Sequence, residues 1–170
     1  RGDLSKFQGE YKNIVEGMNN TLDGIVEPMS FTAEYLESIA NGEHLIEITK
    51  EFNGDYNTII ESLSAVRTTI LALNEESGKL IKATAEGNLK ERADASRVPG
   101  EFKLLINGMN SILEEVLEPI TEAVEVLQKI AAGDLTAEVK GNYKGDYGII
   151  KSALNSTIKS FNEILNDINS

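Results

Sequence analysis

The chain has 170 residues, a formal net charge of −12 at pH 7 and no cysteine. A chain this acidic is repelled by phosphate backbones and anionic lipid surfaces, which argues against binding to nucleic acid. The absence of cysteine excludes disulfides and thiolate chemistry, and no run of the sequence approaches the roughly 18 apolar residues of a membrane-spanning helix.

A short pattern recurs about every 45 residues: a glycine, a polar connector, and then Gly-acid-aromatic at the start of an apolar-striped helix. The copies run from Gly42 to Gly54-Asp55-Tyr56, from Gly87 to Gly100-Glu101-Phe102 and from Gly133 to Gly145-Asp146-Tyr147, with a worn copy from Gly2 to Gly9-Glu10-Tyr11. Shifting the chain by 91 residues aligns 9–74 with 100–165 without a gap, with 20 identities in 66 positions. Such repetition is typical of stacked copies of one supersecondary unit, here with a pair of units as the true period.

Apolar stripes predict an all-α fold with four long helices. Two stripes alternate spacings of four and three residues: Met18, Leu22, Ile25, Met29, Thr32, Leu36 and Ile39, and later Met109, Leu113, Val116, Ile120, Ala123, Leu127 and Ile130. A sustained period of 3.5 residues is typical of a coiled-coil seam. Pro28 and Pro119 lie inside these stripes, and the unbroken phase favours one kinked continuous helix over two separate helices at each proline.

The other two helices are less regular. One has the seam Ile59, Leu63, Val66, Ile70 and Leu73, and the other has Tyr147, Ile150, Leu154, Ile158, Phe161, Leu165 and Ile168. The first of these seams resumes at Leu80-Ile81, where either residue fits the core, and such a phase slip is known in coiled coils. We interpret the intervening Glu75-Glu76, and also Glu114-Glu115, as solvated helix faces. We expect the last helix to continue into a further segment.

The connectors are long enough to run back along a helix, since residues 41–54 span about 46 Å when extended. Each can therefore start the next helix parallel to the previous one. Two and six residues after each glycine stand candidate anchors: His44 and Ile48, Leu89 and Ala93, Leu135 and Val139. We interpret His44 as a partly exposed packing residue, with pH sensing as the alternative. The leading glycines suit helix C-terminal caps, and Asp55, Glu101 and Asp146 stand where a helix N-terminus favours negative charge.

This pattern resembles the HAMP signalling domain, and more narrowly the concatenated HAMP arrays of some chemoreceptor-type transducers and sensor kinases. The family-type positions are Pro28 and Pro119 in the first helices, Gly42, Gly87 and Gly133, the anchors Leu89, Leu135 and Val139, and the acids Asp55, Glu101 and Asp146. The chain departs from the family in lacking its Asp-Glu-x-Gly opening. Its middle unit carries Gly78 in place of a first-helix proline.

The resemblance implies tandem parallel four-helix coiled-coil units, formed by a homodimer and joined by continuous helices. It divides the chain into a partial unit at 1–26 that holds only a second helix, a unit at 27–70, a divergent unit without proline at 71–117 and a unit at 118–170. The implied role is a non-catalytic relay that passes alternating helix packings from an upstream sensor to a downstream output domain in the same chain. The implied location is the cytoplasmic part of a membrane-anchored or soluble receptor, with no membrane insertion of this segment.

Two other functions remain open from the residues themselves. One is a passive coiled-coil spacer, which predicts uniform seams, and the other is an antiparallel helical bundle that binds a ligand, which predicts short loops. An enzyme is not expected, because the sequence has no phosphate-cradling glycine loop, no nucleophile elbow and no histidine pair for a metal. We accordingly predict no cofactor.

Overall fold

In the computed structural model, which describes residues 1–168, the chain forms four long α-helices. They are α1 (Glu10–Ala40), α2 (Tyr56–Ala85), α3 (Gly100–Ala131) and α4 (Gly145–Ile168). Short 3₁₀ turns lie at Leu4–Lys6 and Ala95–Arg97, and no strand occurs in the part of the chain that is described. The all-α fold predicted from the sequence is confirmed. We call residues 41–55, 86–99 and 132–144 the first, second and third connectors.

Helices α1 and α3 continue through their prolines. Pro28 lies within α1 and Pro119 within α3, and both side chains are buried. Because proline has no backbone N–H, the carbonyls of Gly24 and Glu115, four residues earlier, lack their usual helical donor. The rest of each helix is long enough to tolerate this loss, so the prediction of one continuous helix at each proline is confirmed.

Helix α2 runs without interruption through Gly78. Leu80 is 3% exposed and Ile81 is 68% exposed, so the core position that the sequence left open belongs to Leu80. The interpretation of Glu76 as part of a solvated face is wrong, because its side chain is fully buried. A buried carboxylate requires compensating hydrogen bonds or charges, and these are described below.

The chain divides into two compact units, Arg1–Asn74 and Glu75–Ser170. In the first unit Tyr35 of α1, Leu45 of the first connector and Ile60 and Leu63 of α2 form the buried core. Phe31, Ile39, Ile48, Phe52 and Ile70 pack around it. Leu45 thus fixes the connector between the two helices, and burial of such a side chain contributes roughly 1.5–3 kcal/mol.

The second unit repeats this arrangement around the third connector. Val126 of α3, Val139 of the connector and Ile158 of α4 form a buried cluster. Ile130, Ala137, Tyr143 and Leu154 pack against it. In both units, therefore, an apolar residue of the connector is inserted between the helix that precedes it and the helix that follows it.

Candidate functional site

The features that repeat along the chain are the junctions between connectors and helices, and they form the candidate site. Gly133 shows how each connector begins. Its φ is 90°, its N–H donates to the Ile130 carbonyl at 2.9 Å, and the next N–H, of Asp134, donates to the Lys129 carbonyl at 2.9 Å. This pair of bonds is the Schellman cap, which needs a left-handed residue. Gly42 and Gly87 end α1 and α2 with the same two bonds, at φ 67° and 77°.

The anchors of the second and third connectors lie inward. Leu89 and Leu135 are half-buried, and four residues beyond them Ala93 is 5% and Val139 2% exposed. The first connector differs from the sequence-based expectation. His44 is exposed, and the buried residue is its neighbour Leu45, with Ile48 half-buried beyond it.

The difference has a physical reason. A leucine side chain gains more from leaving water than an imidazole, whose two ring nitrogens need hydrogen-bond partners when buried. The first residue of this connector that is buried between α1 and α2 is therefore one position later than the repeat predicts.

The three acids at the helix starts are exposed. Glu101 and Asp146 lie in the first turns of α3 and α4, and Asp55 lies in the turn just before α2. Their carboxylates make no hydrogen bond or ion pair within residues 1–168. What they offer is negative charge near the positive end of a helix dipole.

Asparagine side chains fasten the second and third connectors, and the N-terminal segment before α1, to the helix that follows each of them. Asn110 Oδ1 accepts from the Ala93 N–H at 2.9 Å, and Asn110 Nδ2 donates to the Ala93 carbonyl at 2.9 Å. Asn155 makes the same two bonds with Val139, at 2.9 and 3.1 Å, and Asn19 makes them with Gly2, at 2.7 and 2.9 Å. We call this two-bond contact the amide clamp. It satisfies both polar groups of a connector residue at once.

Glutamate side chains fasten the second and third connectors to the helix that precedes them. Glu76 of α2 accepts from the Asp94 N–H at 2.8 Å, from Lys79 at 2.7 Å and from Arg97. Glu122 of α3 accepts from the N–H groups of Lys140 and Gly141 and from the Tyr143 hydroxyl, the last at 2.6 Å. We call these contacts the carboxylate latches.

The latches shift the proton affinities of their members. Hydrogen bonds from Lys79 and from the Asp94 N–H lower the pKa of Glu76 to about 2. The Tyr143 hydroxyl, followed by the Lys140 N–H, lowers the pKa of Glu122, and the same carboxylate raises the pKa of Tyr143 to about 12. Both carboxylates therefore stay charged at neutral pH, because each is stabilised by donors that only the charged form can fully use.

Sequence reasoning missed the latches, although a signal was present. Glu76 and Glu122 occupy the same position of the repeat, as do their partners Arg97 and Tyr143. Within each unit the two partners are 21 residues apart, beyond the range of helix-face arguments. A comparison of equivalent repeat positions in all units would have paired each glutamate with its partner, which a scan along one helix cannot do.

A second repeated feature is an exposed apolar stripe along the helices. Half of the predicted seam residues are exposed to a large degree: Met18, Leu22, Ile25, Met29, Leu36, Ile59, Val66, Ile120, Leu127, Ile150, Phe161, Leu165 and Ile168. Within the described chain, exposed large apolar residues outnumber the buried ones. An apolar surface this extensive is typical of an interface with another protein.

Two further observations concern what the described residues can hold. No group of three or more His, Asp or Glu side chains among them is arranged to bind a metal ion. None of their helices combines the length and apolar character needed to cross a bilayer.

The chain was compared with models of protein families and with known proteins. The sequence model of the family described as "HAMP domain" matches residues 6–72 and 97–168. These matches begin 91 residues apart, which is the shift that aligns the two halves of the chain. The chain is also 28% identical over 102 residues to the methyl-accepting chemotaxis protein McpB of Pseudomonas aeruginosa. That alignment covers 60% of this chain and 15% of the length of McpB.

Proposed function

The chain belongs to the HAMP domain family, and on that basis we propose that it relays a conformational signal from an upstream sensor to a downstream output domain. The two matched segments include more than half of the chain and confirm the family predicted from the repeated motif. This membership supports a signalling module without catalytic activity. The observation that supports the relay most strongly is the exposed apolar stripe along helices that run continuously from one connector to the next.

The partner that fits the stripe is a second copy of this chain, in parallel register. The seam has a 3.5-residue period, so two copies related by a twofold axis along the helices would bring like positions together. Each helix–connector–helix segment would then contribute two helices to a four-helix coiled coil. Burial of the seam would remove from water the apolar residues that one chain alone leaves exposed.

Continuous helices supply the coupling between units. Helix α3 extends from the second connector to the third and has 32 residues, or about 48 Å at 1.5 Å per residue. A rotation or axial shift of α3 at one junction must therefore appear at the other. We propose that neighbouring units pass such a shift between two alternative packings, which is a recurrent form of switching in packed helices.

The relative found by comparison suggests the setting. It is a methyl-accepting chemotaxis protein, and we propose that this chain is likewise the cytoplasmic relay segment of a chemoreceptor-type transducer. We retain the division into units at 1–26, 27–70, 71–117 and 118–170 as part of the proposal. The residues assigned to the relay are those of the junctions: Pro28, Pro119, Gly42, Gly87, Gly133, Leu89, Leu135, Val139, His44, Ile48, Asp55, Glu101 and Asp146.

The absence of cysteine permits a direct test of the dimer. A single cysteine is placed at the seam position in Leu113→Cys, and Glu114→Cys, on an exposed neighbouring residue, is the matched control. Mild oxidation should convert the first variant rapidly into a disulfide-linked dimer and the second only slowly. No cross-link at 113 together with a monomeric mass in solution would refute the dimer and favour a ligand-binding bundle.

A second measurement separates a relay from a passive spacer. The same cysteine variants are oxidised within the full receptor, with and without its stimulus. A relay requires the rate of cross-linking at 113 to change with the stimulus, because the packing of the seam changes. An unchanged rate would leave a dimeric spacer as the function.

A further inference from the structure

The three connectors are fastened in two chemically different ways. Asn110 and Asn155 clamp the second and third connectors, whereas Ser64 occupies this repeat position beside the first connector. Within residues 1–168 the Ser64 side chain makes no hydrogen bond. The first connector therefore lacks an amide clamp.

The carboxylate latch is also missing there. The position of Glu76 and Glu122 is held in α1 by Phe31, which can accept no backbone N–H. Phe31 instead packs against Phe52 of the first connector, with ring centroids 5.8 Å apart, and Lys50 lies over both rings. This contact buries apolar surface but satisfies no polar group of the backbone.

The first connector is held instead by two of its carbonyl groups, by the ion pair of Lys50 with Glu27 of α1 at 2.5 Å, and by its Phe52 N–H, which donates to Asn57 Oδ1 at 3.0 Å. The Tyr35 hydroxyl donates to the Ile46 carbonyl at 2.9 Å, and Arg67 Nε donates to the Leu45 carbonyl at 3.0 Å. The N–H groups of residues 44–51 donate to no acceptor within residues 1–168. In the second and third connectors, by contrast, the N–H groups of Ala93, Asp94, Val139, Lys140 and Gly141 are all bound by side chains.

We propose that the first connector is the compliant joint of the array, which detaches from α1 and α2 more readily than the other two connectors detach from their helices. Its N–H groups from residue 44 to residue 51 are already free to bond to water, so release breaks fewer hydrogen bonds. In the relay proposed above, this segment is where a change of helix packing is first accommodated. A backbone whose N–H groups bond to solvent is typical of regions that open locally.

Glutamates in the connectors allow the local opening of the three connectors to be compared within one molecule. Each connector carries an exposed glutamate near its middle, Glu47, Glu91 and Glu138, and cleavage there is told apart by fragment mass from cleavage at the further exposed glutamates Glu43, Glu51 and Glu86. A glutamate-specific protease needs a locally unfolded segment, so its cleavage rate at each residue follows the open population of that connector. We expect the intact dimer to be cut after Glu47 at least about tenfold faster than after Glu91 or Glu138, as judged by the masses of the fragments over time.

Two opposite substitutions, one that adds an amide clamp and one that removes it, test whether the clamp controls the cleavage rate. Ser64→Asn supplies the missing side chain and should slow cleavage after Glu47 by about tenfold, the effect of two hydrogen bonds of ordinary strength. Ser62→Asn, on an exposed position of the same helix, is the control and should leave the rate unchanged. Asn110→Ser should accelerate cleavage after Glu91 by a similar factor without affecting the other two connectors.

The outcomes separate cleanly. A shift confined to the connector next to either substitution supports the proposal. Equal wild-type rates at the three glutamates would overturn it, and so would a failure of both variants to alter cleavage at their own connector. Because the readout is local opening of the backbone, either result leaves the relay to be decided separately by cross-linking under stimulus.

Discussion

The Tyr143 hydroxyl donates a 2.6 Å hydrogen bond to Glu122, and this bond joins the third connector to the C-terminal part of α3. One unit earlier, Arg97 and Glu76 occupy the same two repeat positions and form an ion pair, and in the first unit the positions hold Phe52 and Phe31. The contact between connector and helix is thus kept while its chemistry changes from apolar to ionic to a hydrogen bond with a carboxylate. The position of the attachment is therefore the same in each repeat, and the side chains that make it differ from one repeat to the next.

Removal of the Tyr143 hydroxyl should weaken the third junction. We expect Tyr143→Phe to lower the free energy of unfolding by about 1.5–3 kcal/mol, because hydrogen bonds to charged groups lie in that range. Tyr147→Phe is the matched control, since the Tyr147 hydroxyl makes no hydrogen bond within residues 1–168. Urea unfolding at one protein concentration measures both. Equal effects of the two substitutions would show that the bond to Glu122 contributes nothing.

Acid should weaken the second junction. Glu76 faces Lys79 and Glu75 on its own helix and Arg97 and Asp94 on the connector, and its pKa of about 2 lies below the ordinary 4.5. Its contribution is therefore fully present above about pH 4.5 and is lost as the pH falls toward 2.

We expect Glu76→Gln to cost roughly 3 kcal/mol at pH 7. This is the lower end for breaking a buried pair, because Arg97 and Lys79 remain partly solvated. At pH 3 the difference between the variant and the wild type should be smaller. Glu114→Gln, at an exposed carboxylate, should show little effect at either pH. A loss from Glu76→Gln that is identical at pH 7 and pH 3 would contradict a role for the charge.

The contribution of the amide clamp to stability can be measured by comparing Asn110 with a nearby asparagine on the same helix. Asn110→Ala leaves the N–H and carbonyl of Ala93 without their partner, and we expect a loss of about 1–3 kcal/mol. Asn107 is exposed and makes no side-chain hydrogen bond within residues 1–168, so Asn107→Ala changes helix propensity alone. Thermal unfolding of the two variants compares them. The clamp would be dispensable if both behaved alike.

The register of the first connector can be tested with two adjacent residues. Leu45→Ala removes a core side chain and should cost about 2–5 kcal/mol, whereas His44→Ala, at an exposed position, should stay within about 0.5 kcal/mol. Denaturant unfolding of both variants is sufficient. A larger loss at His44 than at Leu45 would restore the anchor position that the repeat predicts.

The helices and their ends could be predicted from the sequence because those signals are local. The spacing of apolar residues gave the helices, a glycine after the last one gave each cap, and the unbroken phase across Pro28 and Pro119 gave continuity. Where two adjacent residues competed, at His44-Leu45 and Leu80-Ile81, the pattern left the choice to three-dimensional packing. Glu76 was misjudged because a carboxylate is buried only when its donors are present, and two of its donors, the Asp94 N–H and Arg97, come from the connector.

Gly133 has a consequence for how the array can vary. A Cβ at this position would meet no atom within 4 Å, so the restriction on side chains comes from the φ of 90° and not from lack of space. Asparagine, which tolerates positive φ better than other residues with a side chain, is therefore the replacement of lowest cost. A chemically synthesised segment with D-alanine would satisfy the same backbone without strain. Replacing Gly133 by D-alanine would thus restrict the backbone of this junction and leave every side-chain contact of the fold as it is.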